Sequence, residues 1–232
     1  MSHRNSVYLI LGSTSAVAQA LASRLTDEGA VVVGRSRSGD GVNAADFAQV
    51  DKVTQEVALE HGRLDGLVNC AGSLLLKPAH VTSAGEYERT IEANLTTAFA
   101  VVRAGARAMM QSGGSIVLVS SAAARIGLAN HEAIAAAKAG VIGLTQSAAA
   151  SYAGRGIRVN CVAPGLTETP LSARITSNEA ARAASQSLHA LGRLGRPEDV
   201  ASAIGWLLDP ANDWVTGQVL GVDGGLGTVR AK

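Results

Sequence analysis

A chain of 232 residues, 47% hydrophobic and 17% charged, carries enough apolar side chain for one packed α/β domain over 1–232 and too much for a disordered segment. Its net charge of +1, with no long basic run, gives no electrostatic basis for binding nucleic acid or an anionic membrane. Cys70 and Cys161 stand far apart and outside any metal-ligand spacing, so no metal is expected, and a reduced cytoplasmic setting fits better than a disulfide framework. Polar Met1–Ser6 followed by short Val7–Leu11 does not read as a signal peptide, and no apolar stretch approaches the roughly 18 residues of a membrane span.

In chain order, Val7–Leu11 reads as a first strand, followed by a Gly/Ser/Thr turn and a helix over Ser15–Glu28 that Gly29 ends. Ala30–Gly34 reads as strand two and Arg35–Gly41 as a polar loop. A helix over Asp46–His61 leads to a strand at Asp65–Asn69, then a long helix over Ser83–Gln111. Ser115–Ser120 is the next strand, Ala129–Gly154 a helix and Ile157–Asn160 a strand. Ala180–His189 and Pro197–Leu208 are helical, with Val219–Val222 the last strand. Apolar runs alternating with helical patterns predict a doubly wound parallel sheet flanked by helices, with ligands at the carboxyl ends of the strands. Between strand two and the Asp46 helix there is room for a loop and a brief strand but no full helix, so the crossover at that edge is shortened.

Val68-Asn69-Cys-Ala-Gly72, Asn94 in Glu-Ala-Asn-Leu, Ile116–Ser121, Arg158–Gly165, Leu191–Val200 and Val215–Gly225 follow one another along the chain. In this order they resemble the segments of the short-chain dehydrogenase/reductase family. The resemblance covers essentially the whole chain and implies a single Rossmann-like domain, NAD(P) as cofactor and oxidoreductase chemistry. Its catalytic signature is Ser-x12-Tyr-x3-Lys. Here Ser121 and Lys138 hold the outer places, but the tyrosine position, thirteen after Ser121 and four before Lys138, is Ile134.

By the same resemblance, Asn94, Ser121 and Lys138 stand in catalytic places. The cofactor would contact Gly12, Ser13, Thr14, Ser15, Val17, Asn69, Ala71, Gly72, Lys138, Pro164, Gly165 and Thr167. The family's Gly-x3-Gly-x-Gly turn reads Gly12-Ser-Thr-Ser-Ala16-Val-Ala18, so methyl groups at Ala16 and Ala18 add bulk where phosphate and backbone meet. Binding is therefore expected to be weakened, or retained after a small adjustment. After strand two, Arg35, Ser36 and Arg37 replace the ribose-binding acid and favour a 2′-phosphate, hence NADP over NAD, unless they are solvated loop residues. Asn43 stands where an aspartate often faces adenine.

In the family the tyrosine passes a proton to or from the substrate oxygen, the lysine tunes it and holds the nicotinamide ribose, the serine bonds the substrate oxygen, and the asparagine positions water. Isoleucine has no donor. General acid–base help is worth about 10²–10⁴-fold and the tyrosine also donates to the developing oxyanion, so turnover is expected to fall by near the upper figure. His131 lies one turn before Ile134 and is either a replacement acid or an ordinary residue near the helix N-terminus. Lys138 is then a relic or an anchor for ribose or carboxylate.

Three functions remain open. One is a non-catalytic subunit joining an active paralogue, or itself, in a dimer or tetramer through the long helices and C-terminal segment. This trait resembles heteromeric hydroxyacyl-CoA dehydrogenases of the family, such as 2-[hydroxy(phenyl)methyl]-succinyl-CoA dehydrogenase. The second is an independent NAD(P)-dependent enzyme for a small ketone or acyl thioester, and the third a non-redox cofactor or metabolite sensor. Arg174 and Arg182 in the lid segment Leu171–His189 are either anion contacts or solvent-facing.

Overall fold

The computed structural model describes residues 3–229. Six parallel strands form one sheet in the order β2-β1-β3-β4-β5-β6, flanked by helices on both faces. They are β1 (Val7–Leu11), β2 (Val31–Arg35), β3 (Gly66–Asn69), β4 (Gly114–Val119), β5 (Ile157–Pro164) and β6 (Val219–Val222). This is the expected Rossmann-like architecture. Strands β1, β3 and most of β4 and β5 are buried along their length, which is why they read as unbroken apolar runs.

Alternate strand residues feed two cores. Leu9, Leu11, Leu67, Ile116 and Leu118 pack toward α3 (Phe47–His61), α5 (Thr97–Met109) and α6 (Glu132–Tyr152). Tyr8, Ile10, Val68, Val117 and Val162 pack toward α1 (Ala16–Asp27) and α9 (Pro197–Leu208). Contrary to the sequence expectation, helix α6 has the length and mean hydropathy (1.2) of a membrane span, but its buried residues, Val141 and Ala148 among them, belong to the first core.

Three differences from the sequence expectation matter for the site. The polar loop after β2 holds a short helix, α2 (Arg37–Asp40), and no strand follows it. Ser36 caps this helix by accepting from the Gly39 amide, and Asp40 Oδ1 accepts from Ser36 and Val42. Asn43 Oδ1 accepts from Ala45, so local side chains take the amides a strand would have paired.

Second, the helix expected over Ser83–Gln111 is α4 (Ala84–Ile91) and α5 separated by a π-helical turn at Glu92–Thr96. Such turns occur often at functional sites. Here it carries Asn94, whose Nδ2 donates to the Thr90 carbonyl at 2.9 Å. Third, β5 runs four residues past the predicted end, to Pro164, in register with β6. The lid beyond it consists of α7 (Ala173–Thr176) and α8 (Glu179–Leu188).

Candidate active site

The strand order reverses between β1 and β3, and the turns after these two strands open the crevice there. Gly12 follows β1 at φ +76°, and a Cβ on it would lie 2.4 Å from the Ala71 nitrogen. Glycine at this position is thus demanded by the approach of one turn to the other. Both Gly12 and Ser13 amides donate to the Arg35 carbonyl, which ties the turn to the end of β2. Ser15 caps α1, and the helix N-terminus from Thr14 to Val17 faces a cavity of about 530 Å³.

That end suits an anionic pyrophosphate by its free amides and dipole. Ala16 lines the cavity, whereas Ala18 is buried in the second core. Of the two methyl groups expected to crowd the phosphate, only that of Ala16 faces it. The residues fit a dinucleotide at this end.

Deeper in the cavity the family positions converge. Ala71, Gly72, Asn94, Ser121, Ile134, Lys138, Pro164, Gly165 and Thr167 all border it. Ser121 ends the stretch after β4 and accepts from the Ala123 amide at 3.2 Å, leaving its own proton to donate. Ile134 is 3% exposed, one turn before Lys138 on α6. Lys138 Nζ donates to the Val119 carbonyl at 2.8 Å, and burial lowers its pKa to about 8. Gly72 makes room here, since a Cβ on it would sit 3.0 Å from Asn94 Oδ1 and 3.6 Å from Lys138 Nζ.

Asn94 is bonded to the protein through both ends of its amide. Nδ2 donates to Ser73 Oγ as well as to Thr90, and Oδ1 accepts from the Ser73 amide at 3.2 Å. His131 lines the cavity, with Nδ1 donating to the Ala129 carbonyl at 2.7 Å. In the neutral ring this leaves Nε2 as an acceptor without a proton. Burial pushes the Cys70 thiol up to about 12 and the Cys161 thiol to about 11, so neither supplies a thiolate. Tyr8 lies in the core, its hydroxyl 2.8 Å from His3 Nδ1, and neither it, Tyr87 nor Tyr152 borders the cavity.

The remaining expected contacts lie elsewhere. Asn69 is buried beneath its turn, donating to Thr97 Oγ1 and accepting from the Ala71 amide, so it holds the turn in shape. Arg35, Ser36, Arg37 and Asn43 gather at the far end of β2, outside the cavity. Arg35 donates to the Gly34 carbonyl, and Arg37 Nη2 to Asn43 Oδ1 at 2.5 Å. Arg182 pairs with Glu168, and neither it nor exposed Arg174 lines the cavity.

Sequence reasoning missed Ser73, the Val119 carbonyl and His189. His189 is 4% exposed; its Nδ1 donates to the Ser185 carbonyl and its Nε2 accepts from the Leu166 amide, tying α8 to the turn after β5. Among the described residues no cluster of His, Cys, Asp and Glu is arranged to hold a metal.

Residues 12–227 match the sequence model of a family described as enoyl-(acyl carrier protein) reductase. A 3-oxoacyl-[acyl-carrier-protein] reductase FabG of Thermotoga maritima is 36% identical over 95% of this chain and 97% of its own length. A short-chain type dehydrogenase/reductase from Mycobacterium ulcerans superposes with a TM-score of 0.92 at 30% identity, covering 100% of this chain and 93% of that one. The protein ElxO, solved with NADP bound, gives 0.89 at 29% identity over 96% and 98%.

Proposed function

The chain belongs to the short-chain dehydrogenase/reductase family, and from that premise we propose that it is a degenerate oxidoreductase subunit, retaining the cofactor cavity without its proton donor. The observation carrying this reading is Ile134. It is buried against the cavity that Ser121 and Lys138 also border, where the family's mechanism requires a phenol.

NAD(P) is the cofactor this cavity suits, and when bound its nicotinamide supplies or accepts hydride. The α1 N-terminus and Thr14 and Ser15 would hold the pyrophosphate, and Lys138 and Thr167 would border the nicotinamide ribose. Arg37 gives the adenine end a positive charge for a 2′-phosphate, which favours NADP. Ser121 keeps a hydroxyl proton to donate to a substrate oxygen, but it cannot pass a net proton onward without a base. A hydride delivered to a carbonyl would leave an alkoxide against an aliphatic wall, at a cost of about 10²–10⁴-fold in rate. His131, its Nδ1 donating to the Ala129 carbonyl, borders the cavity and would stand in for the acid only through a proton on Nε2.

The subunit would act by assembling with an active paralogue that carries the tyrosine and performs ketone or hydroxyacyl-thioester redox chemistry in the reducing cytoplasm. The test is co-expression with such a paralogue, followed by native mass measurement and NADPH titration. A mixed oligomer, with NADPH fluorescence enhanced but not consumed by this chain alone, is expected. A homo-oligomer that consumes NADPH unaided contradicts the reading.

A further inference from the structure

The three lysines among the described residues stand in different surroundings. Lys52 is exposed and pairs with Glu56, and Lys77 pairs with Glu86. Lys138 is 8% exposed and borders a cavity whose described lining holds no aspartate, glutamate or arginine. Its Nζ meets one protein acceptor, the Val119 carbonyl, where an ammonium has three protons to place. A desolvated ammonium so poorly matched is disfavoured against the free amine. Burial accordingly lowers the pKa to about 8, so near pH 7 about a tenth of the chains carry a neutral amine there, against less than about a thousandth for an ordinary lysine.

The amine is also open to the cavity. Gly72 stands before it, where a Cβ would come to 3.6 Å from Nζ. Ile134, one turn earlier on α6, closes the adjoining wall with carbon and gives the amine no phenol to bond. The ionisable neighbours are Cys70, on the turn after β3, and Cys161, in β5. Burial raises both thiols, so neither competes as a nucleophile near neutrality. His131 and His189 border the same cavity, and each spends Nδ1 on a backbone carbonyl, of Ala129 and Ser185. A desolvated amine with its lone pair free at a cavity wall is the arrangement in which lysine attacks a carbonyl carbon.

We propose that Lys138 is a covalent capture site for aldehydes, its amine forming an imine with an aldehyde that enters the cavity when no cofactor is bound. Nζ adds to the carbonyl carbon, forming a C–N bond while the π pair of the C=O moves to oxygen. The two protons that leave nitrogen end on that oxygen, which departs as water as the C=N bond closes. No oxidant or reductant takes part. This activity goes beyond the reading above, since it uses no hydride and needs no proton donor in place of Ile134.

The experiment treats the purified chain at pH 7 with butanal and sodium cyanoborohydride, which fixes an imine as a stable secondary amine, and maps the alkylated peptides by mass spectrometry. Mapping separates Lys138 and Lys52 from the α-amino group. Lys138 should be alkylated at least about tenfold faster than exposed Lys52. That ratio should fall as the pH is raised to 10, because an ordinary lysine gains free amine over this range and Lys138 gains little more. Gly72→Ala, which narrows the approach to Nζ, should slow Lys138 by roughly threefold or more and leave Lys52 unchanged. Saturating NADPH should protect Lys138 alone. A ratio near one at pH 7, or a ratio that does not change with pH, would overturn the proposal. Fast alkylation of Lys138 undiminished by NADPH would uphold the capture site and count against the cofactor reading instead.

Discussion

The two ends of the dinucleotide crevice have departed from the family pattern in different ways. At the nicotinamide end the backbone frame is intact, and the loss is a single functional group, with Ile134 filling its space among Ser121, Lys138 and Asn94. At the adenine end the frame itself is shortened. The segment after β2 folds into one turn of helix, and its polar residues bond to one another: Ser36 to Gly39, Asp40 to Ser36 and Val42, Arg37 to Asn43. A cavity side chain can thus be exchanged without touching the fold, whereas trimming a crossover leaves local side chains to satisfy the freed amides.

This contrast can be broken experimentally, and the largest effect is expected where the two ends meet. Gly12→Ala places a methyl 2.4 Å from the Ala71 nitrogen in a left-handed backbone. It should destabilise the chain by roughly 3 kcal/mol or more by urea unfolding, independently of cofactor. A near-neutral result would mean that the turns are not locked together.

Next comes Lys138, whose folded pKa lies below its unfolded value. Between about pH 8 and the ordinary lysine range, the unfolded chain binds more protons, so stability should rise with pH across that window. Compared with Lys138→Met, the native chain should gain roughly 2–3 kcal/mol over those units, whatever the offset at pH 7. Parallel pH profiles would show that the ammonium is not desolvated.

At the adenine end Arg37→Ala should weaken NADPH by about threefold to tenfold and leave NADH unchanged, read by fluorescence titration. Equal loss for both would place Arg37 in folding alone. A modest effect, on stability instead of cofactor affinity, is expected at His189. His189→Ala removes two bonds between α8 and the turn after β5, and should cost about 1–2 kcal/mol and speed proteolysis within 173–188.

Much of this was legible in the sequence. The bounds of β1, α9 and β6 follow from apolar runs and from Pro197 at a helix start, and the family positions around Ser121 and Lys138 do meet at one cavity. The π turn was not legible, because its one-residue insertion leaves no mark in hydrophobic period; it shows in the backbone bond from the Thr97 amide to the Glu92 carbonyl. Helix α2 did leave a signal, Ser36 three residues before Gly39, but beside two arginines it reads as loop. The bonds from Lys138 to Val119 and from His189 to Leu166 join distant parts of the chain and exist only once β4, α6 and the lid are packed. The bonds of the Asn69 side chain to Thr97 and Ala71, which hold its turn, likewise exist only in the folded chain.

The most direct test is the rate at which homomeric chain consumes NADPH with an aliphatic ketone, beside that of Ile134→Tyr. The native rate should lie about 10²–10⁴-fold below the variant's. Equal rates, with the native chain turning over at about 1 s⁻¹ or faster, would contradict it.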